Sequence, residues 1–175
     1  DMTLDWYVDV FTTYDHVFGL EVYNQGDRYS DDRLLWDSIL TATLPGRPVW
    51  AYSNDDMHRE SHIGRNWNML ILPELSHAQV RHGMENGLSY FVYAPEGHDG
   101  PAAPIIDEIH VDQDGGTIRI TARNTEHILW ISEGSQIHEG NEISLNQVYG
   151  VGKYIRAELH GADNSIAATQ AFIIK

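Results

Sequence analysis

The chain contains no cysteine, so disulfides and thiolate metal sites are excluded, and a bound metal has only His, Asp, Glu and water to draw on. Basic charge is scarce: 11 Lys and Arg stand against 26 Asp and Glu, giving a net charge of −15, and no basic cluster occurs anywhere. Such a surface repels a bare phosphate backbone and an anionic membrane, so nucleic acid and membrane partners are not expected. No apolar run approaches the ~18 residues of a spanning helix. The motifs G-x-S-x-G, the P-loop and the dinucleotide fingerprint are also missing, which removes several enzyme classes.

What remains has the composition of a folded protein, with 42% apolar residues in 175 positions, enough for one ordinary domain or two small ones. A soluble protein is expected, with export left open by the lack of cysteine and of a visible signal. The chain starts at Asp1 without an initiator methionine, so the start is expected to be processed, trimmed or located further upstream.

Apolar residues at 4, 7, 8 and 11 predict a helix over Leu4–Tyr14, and Phe18–Tyr23 reads as a short strand. Ser30 offers an N-cap and Asp31 and Asp32 suit the first turn of a second helix, which Pro45-Gly46 ends. Pro48–Tyr52 and Met69–Leu72 follow as strands, then a helix capped by Ser76 and stopped at Gly87, then a strand over Ser89–Tyr93. Short apolar strands alternating with helices predict a parallel α/β sheet covered by helices, although only part of one. A closed eight-stranded α/β barrel takes about 250 residues.

Residues 98–104, rich in Gly and Pro, predict a linker. Beyond it, Ile105–Val111, Thr117–Ala122, Ile128–Ser132, Glu142–Leu145, Tyr154–His160 and Ala167–Ile174 read as strands of a small antiparallel sandwich. The expected organisation is an α/β segment over 1–97, the linker at 98–104 and an all-β domain over 105–175. Trp6, Trp36, Trp50 and Trp67 read as core or cavity-wall aromatics and Trp130 as the sandwich core.

The chemistry-bearing stretch is Ser53–Glu60, SNDDMHRE, which follows the second strand directly. Asp56 and His58, two apart, project to one side if the backbone stays extended, and a carboxylate with an imidazole is a metal-competent pair. Read from spacing alone, the stretch favours an ordinary acidic loop over a ligand pair. Asp55 reads as a solvated or capping neighbour, and His62 as a loop residue or an outer support of the site. Glu21, in mid-strand, either lines the same cavity or faces solvent, and Asn24 sits at that strand's end. No catalytic residue is identified.

The order of Gly19–Asn24, Leu34–Leu40, Gly46–Ala51 leading into Asp55–His58, Trp67-Asn68-Met69 and Glu85–Tyr90 resembles the C-terminal half of the PHP (polymerase and histidinol phosphatase) family of metal-dependent phosphoesterases. The resemblance covers about the first 95 residues. It implies part of a PHP-type α/β barrel with a metal cluster at the carboxyl ends of its strands, and it implies Asp56 and His58, matching the closing D-x-H motif, as metal ligands. Glu21, Asn24, Asp55 and His62 would line the site without ligating. The implied cofactors are two or three divalent ions, zinc, manganese or iron, and the implied substrate is a small phosphoester. The family's opening H-x-H motif has no counterpart here. The resemblance therefore implies that the remaining ligands come from an N-terminal barrel half or from another chain, and that these residues alone are inactive. A rival expectation is a non-catalytic module in which the sandwich recognises a carbohydrate or a protein, marked by exposed aromatics on one face.

Overall fold

A computed structural model describes residues 2–174. Helix α1 (Leu4–Thr13) begins where the Thr3 hydroxyl accepts the Trp6 amide, and its last carbonyls, together with the following turn, are held by the Arg47 guanidinium, which donates to the carbonyls of Phe11, Asp15 and Val17. A cation satisfying the orphan carbonyls of a helix end is favourable on both hydrogen-bond and dipole grounds. Strand β1 (Gly19–Asn24) leads to helix α2 (Asp32–Thr43) and strand β2 (Trp50–Asn54). Strands β1 and β2 pair in parallel, Gly19 opposite Trp50 and Asn24 opposite Asn54. The cap of α2 is Asp31 rather than Ser30, and no side chain caps it.

Strand β3 spans Asn66–Leu70, helix α3 His77–Glu85 and strand β4 Ser89–Tyr93. Ser76 does cap α3, its hydroxyl accepting the Gln79 amide, and Gly87 turns the chain out at φ +66°. The orphan carbonyls of Met84 and Glu85 are taken by the Tyr52 hydroxyl and the Trp50 indole, so β2 side chains tie down the end of α3.

The expected helix-covered parallel sheet is not what forms. Only β1 and β2 are parallel, and β3 and β4 run antiparallel to each other. The reason lies in α3, which has nine residues and a single buried position, Gly83. A helix so short and so exposed does not cross over a sheet face, and the chain returns alongside the strand it left.

Strands β5 (Ile105–Asp112), β6 (Thr117–Arg123), β7 (His127–Ser132), β8 (Ser135–Glu139), β9 (Glu142–Ser144), β10 (Tyr154–His160), β11 (Ile166–Thr169) and β12 (Phe172–Ile173) complete the chain. The expected last strand divides at Gln170 into β11 and β12. Strand order in the larger sheet is β3-β4-β11-β10-β7-β8, with β12 against β10, and in the smaller sheet β5-β6-β9. All of these pairs are antiparallel.

Pairing crosses the segment expected to be a linker. Strand β4 is hydrogen-bonded to β11, Phe91 opposite Ala168, so elements from both sides of 98–104 share one sheet. Alternation then gives that sheet two buried faces. Tyr90, Val92, Ile155, Ala157, Leu159 and Ala167 meet Ile118, Ile120 and Ile143 of the smaller sheet in the sandwich core around Trp130. Phe91, Tyr154 and Ala168 point the other way, into a core with Phe11, Val22, Trp36, Leu40 and Val49. The fold is thus a β-sandwich whose larger sheet carries the α/β segment on its outer face. Trp36 and Trp130 are fully buried as expected, whereas Trp6 is 47% exposed.

Candidate functional site

The carboxyl ends of β1 and β2 lie side by side; Glu21 and Asn24 sit on β1, and Asp55, Asp56, His58 and His62 follow β2. What positions these segments is a set of carboxamides. Asn68 accepts the Ser53 N–H and donates to the Ser53 carbonyl, at 3.0 and 2.9 Å. Gln170 does the same for Ala51, at 2.9 and 2.8 Å, and Asn66 for Gly26, at 2.6 and 3.0 Å. Each amide side chain thereby imitates a strand partner for one residue. The outer edge of β2 is stitched to the larger sheet through Ala51 and Ser53, and the loop after β1 is pinned at Gly26. Asn66 and Asn68, two apart on one face of β3, serve both functions.

Around this seam the proposed residues separate into committed and free groups. Both Glu21 oxygens are occupied, one by Asn24 and one by Asn54, at 2.9 and 2.8 Å. Glu21 and Asn24 therefore do share the mouth, but they form a closed hydrogen-bonded unit. Asp55 is more fully engaged: its carboxylate accepts the backbone N–H groups of Gly64, Arg65 and Asn66 at 2.7–2.9 Å. It organises the start of β3, a local structural function rather than a solvated one.

Asp56 and His58 remain available. Their side chains are 43% and 63% exposed, and Asp56 Oδ1 lies 3.8 Å from His58 Nδ1. The extended backbone anticipated for this pair is absent. Asp56 adopts φ +43°, a left-handed conformation that aspartate tolerates, and the turn brings the two side chains together. His58 Nδ1 lies 2.6 Å from the Asp56 carbonyl oxygen, which can only accept, and 3.2 Å from the Gln25 side-chain nitrogen; the shorter contact favours the tautomer with the proton on Nδ1. In the neutral ring the lone pair is then on Nε2, the arrangement in which a backbone carbonyl orients a metal-binding imidazole. Gln25 donates to the same carbonyl at 3.2 Å and fixes the turn from the β1 side.

His62 is excluded by the same reasoning. Its Nδ1 accepts the His58 backbone N–H at 3.3 Å, which leaves the proton on Nε2 and no lone pair to offer.

The surrounding field favours a cation. Burial raises the Asp32 carboxyl above its ordinary range, Arg33 opposes the rise, and the charges of Glu21, Asp31 and Asp27 add to it. Arg33 itself is engaged by Asp27 at 2.7 and 3.1 Å and lies 4.4 Å from the centre of the Tyr23 ring, so it closes the loop after β1 instead of neutralising the mouth. Among the described residues no three His, Asp or Glu side chains converge to hold a metal ion.

The carboxamides Gln25, Asn54, Asn66, Asn68 and Gln170 are the functional positions that sequence reading overlooks. The Asn66–Asn68 spacing on one strand face was the available signal; Gln170 lies 119 residues from its partner Ala51 and leaves none. Comparison with known proteins finds no matching family model, no matching curated protein and no matching solved structure.

Proposed function

We propose that the mouth formed by β1 and β2 is one part of a divalent-metal hydrolase centre, to which this chain contributes Asp56 and His58 as ligands. The observation that supports the reading is the 2.6 Å contact of His58 Nδ1 with the Asp56 carbonyl, which favours a ring whose Nε2, with the exposed Asp56 carboxylate, is uncommitted beyond the end of β2. Both suit zinc, manganese or iron. Ligands converge at the carboxyl ends of parallel strands in α/β proteins generally. The resemblance to PHP phosphoesterases suggests the reaction class, phosphoester hydrolysis, with the two-stranded parallel β1–β2 pair rather than a barrel as the setting.

When bound, a divalent ion acidifies water and polarises a phosphoryl oxygen. The chain's own residues do the rest: Gln25 and the Asp56 carbonyl orient the imidazole, and Asp55 and the carboxamide seam hold the loop in register. Glu21, Asp31 and Asp32 supply a negative field that draws the cation in. Two ligands do not complete a hydrolytic centre, so the reading requires the remainder from other polypeptide, and these residues alone should hydrolyse p-nitrophenyl phosphate only at background rates.

The carbohydrate-binding alternative is less well supported. The outward face of the smaller sheet presents Asp107 paired with Arg123 and Glu142 paired with Arg119, and β5, β6 and β9 carry no aromatic side chain.

The test is metal titration by calorimetry with zinc and manganese on the wild type, Asp56→Ala and His58→Ala. Each substitution should weaken binding at this site by at least ~10-fold. Metal affinity indifferent to both substitutions, or robust phosphatase turnover by these residues alone, would overturn the proposal.

A further inference from the structure

The larger sheet carries a second set of metal-competent side chains far from the mouth in sequence. His127 on β7 and His160 on β10 are direct cross-strand partners. Directly opposed residues of an antiparallel pair project from the same face with Cβ atoms ~4.5–5.5 Å apart, within the reach two imidazoles need to share one ion at ~2.0–2.1 Å per bond.

Each imidazole is backed by a carboxylate through one ring nitrogen. His127 Nδ1 lies 3.0 Å from Glu139 Oε1, and His160 Nε2 lies 3.5 Å from Glu158 Oε2. His127 thus keeps Nε2 and His160 keeps Nδ1 as the nitrogen free to ligate. A carboxylate on the far nitrogen is the support that metal-bound histidines receive, because it sets the tautomer and raises the basicity of the ligating nitrogen. His127 makes this contact at hydrogen-bond length, and His160 faces its carboxylate at 3.5 Å with Nε2 buried and not hydrogen-bonded.

Neither carboxylate is adventitious in its placement. Glu158 is fixed by Arg156, whose guanidinium is buried against Asp37. Glu158 Oε1 accepts from Arg156 Nη1, which leaves Oε2 facing His160 Nε2. Glu139 stands opposite Leu129, two residues along from His127 on the same face. The pair is reachable: the His127 and His160 side chains are 61% and 32% exposed.

We propose that His127 and His160 chelate a borderline divalent transition-metal ion, zinc, nickel, copper or cobalt, with water completing its shell and Glu139 and Glu158 as orienting carboxylates. Imidazole ligands select these ions over calcium and magnesium, which prefer oxygen. The site is independent of Asp56 and His58.

The experiment uses the Asp56→Ala/His58→Ala protein, so that binding at the mouth is removed. Zinc is titrated in competition with a chromophoric chelator, and cobalt binding is followed by its visible absorption. One equivalent of zinc should bind. His127→Ala or His160→Ala in that background should weaken it by more than ~10-fold, and Glu139→Gln by about 10-fold while both imidazoles remain. Circular dichroism of the Glu139→Gln protein, whose substitution is on the surface, separates a lost site from a lost fold. Zinc bound with the same affinity after His127→Ala, or no zinc bound in the parent background, overturns the assignment. Failure of the Asp56 test would leave this result unaffected.

Discussion

Replacing Asp37 with alanine should cost ~3–5 kcal/mol, and the size of that loss tests how the α/β segment is attached to the sandwich. Asp37 on α2 and Arg156 on β10 are 2% and 3% exposed. They meet bidentately, with Nε to Oδ1 at 2.9 Å and Nη2 to Oδ2 at 2.8 Å. The Tyr154 hydroxyl donates to Oδ1 at 2.6 Å, and the guanidinium lies 5.3 Å from the centre of the Trp36 ring. Removing the carboxylate leaves a guanidinium in a nearly dry site with Glu158 as its remaining anion, and it leaves the Tyr154 hydroxyl only the Asp37 backbone carbonyl at 3.3 Å. The penalty for an uncompensated buried charge is much larger than the net worth of the pair, because burying the pair already required desolvating both ions.

Against a total stability of ~5–15 kcal/mol this is a severe loss. With a urea slope of ~2 kcal/mol/M, the midpoint should fall by roughly 2 M. Urea unfolding monitored by tryptophan fluorescence reads it out, because Trp36 lies at the pair. In a double-mutant cycle, Asp37→Ala with Arg156→Ala should cost clearly less than the sum of the two single changes. An apolar replacement of the whole cluster, Asp37→Leu with Arg156→Met and Glu158→Leu, should cost far less than Asp37→Ala alone. A loss below 1 kcal/mol for Asp37→Ala, or strict additivity in the cycle, would refute the reasoning.

Asp55 and Asp56 are adjacent but should behave oppositely: Asp55→Ala leaves three backbone N–H groups without their acceptor and should cost ~2–3 kcal/mol in thermal or urea unfolding, whereas Asp56→Ala, exposed, should cost under ~1. Gln170→Ala unpairs both backbone groups of buried Ala51 and should cost ~2–4 kcal/mol, with faster amide exchange along β2. Gly87→Ala forces a side chain into a left-handed turn with its Cβ 2.6 Å from the Trp50 ring, and a loss of at least ~1–2 kcal/mol is expected from the melting temperature. Glu158 adds a pH dependence. Its folded-state pKa, about 2, lies below the ordinary glutamate value near 4.5, so the folded protein binds that proton less readily than the unfolded chain. Its contribution is complete above about pH 4.5 and is lost as pH falls toward 2; Glu158→Gln should flatten the stability profile in that window.

Much of the fold was legible because periodicity is local. The apolar spacing of Leu4, Tyr7, Val8 and Phe11 marks α1 wherever the helix packs, and Ser76 and Gly87 bound α3 by backbone chemistry alone. Strand β8, Ser-Gln-Ile-His-Glu, escaped for the converse reason: an exposed edge strand has no buried face to imprint on its sequence. Trp6 was expected inside from residue type, yet large apolar side chains do stay outside, and α1 buries only Phe11 fully.

The candidate site divides along the same line. The pair Asp56–His58 and its position after a strand are local facts, available from spacing and from the family resemblance. That Asp56 reaches its neighbour through a left-handed turn, that Asp55 is consumed by three amides, and that Glu21 is closed by Asn24 and Asn54 depend on what approaches from elsewhere in the chain. By itself the sequence determined the three α-helices and most of the strands, a composition disfavouring anionic partners, and the location of one metal-competent corner, since each follows from neighbouring residues or from totals. Only the tertiary structure decided strand direction, the shared sheet across residues 98–104, the Asp37–Arg156 attachment and the opposition of His127 with His160. Those properties are set by pairing between residues up to 119 apart, and a polar side chain carries no mark of the partner it will meet.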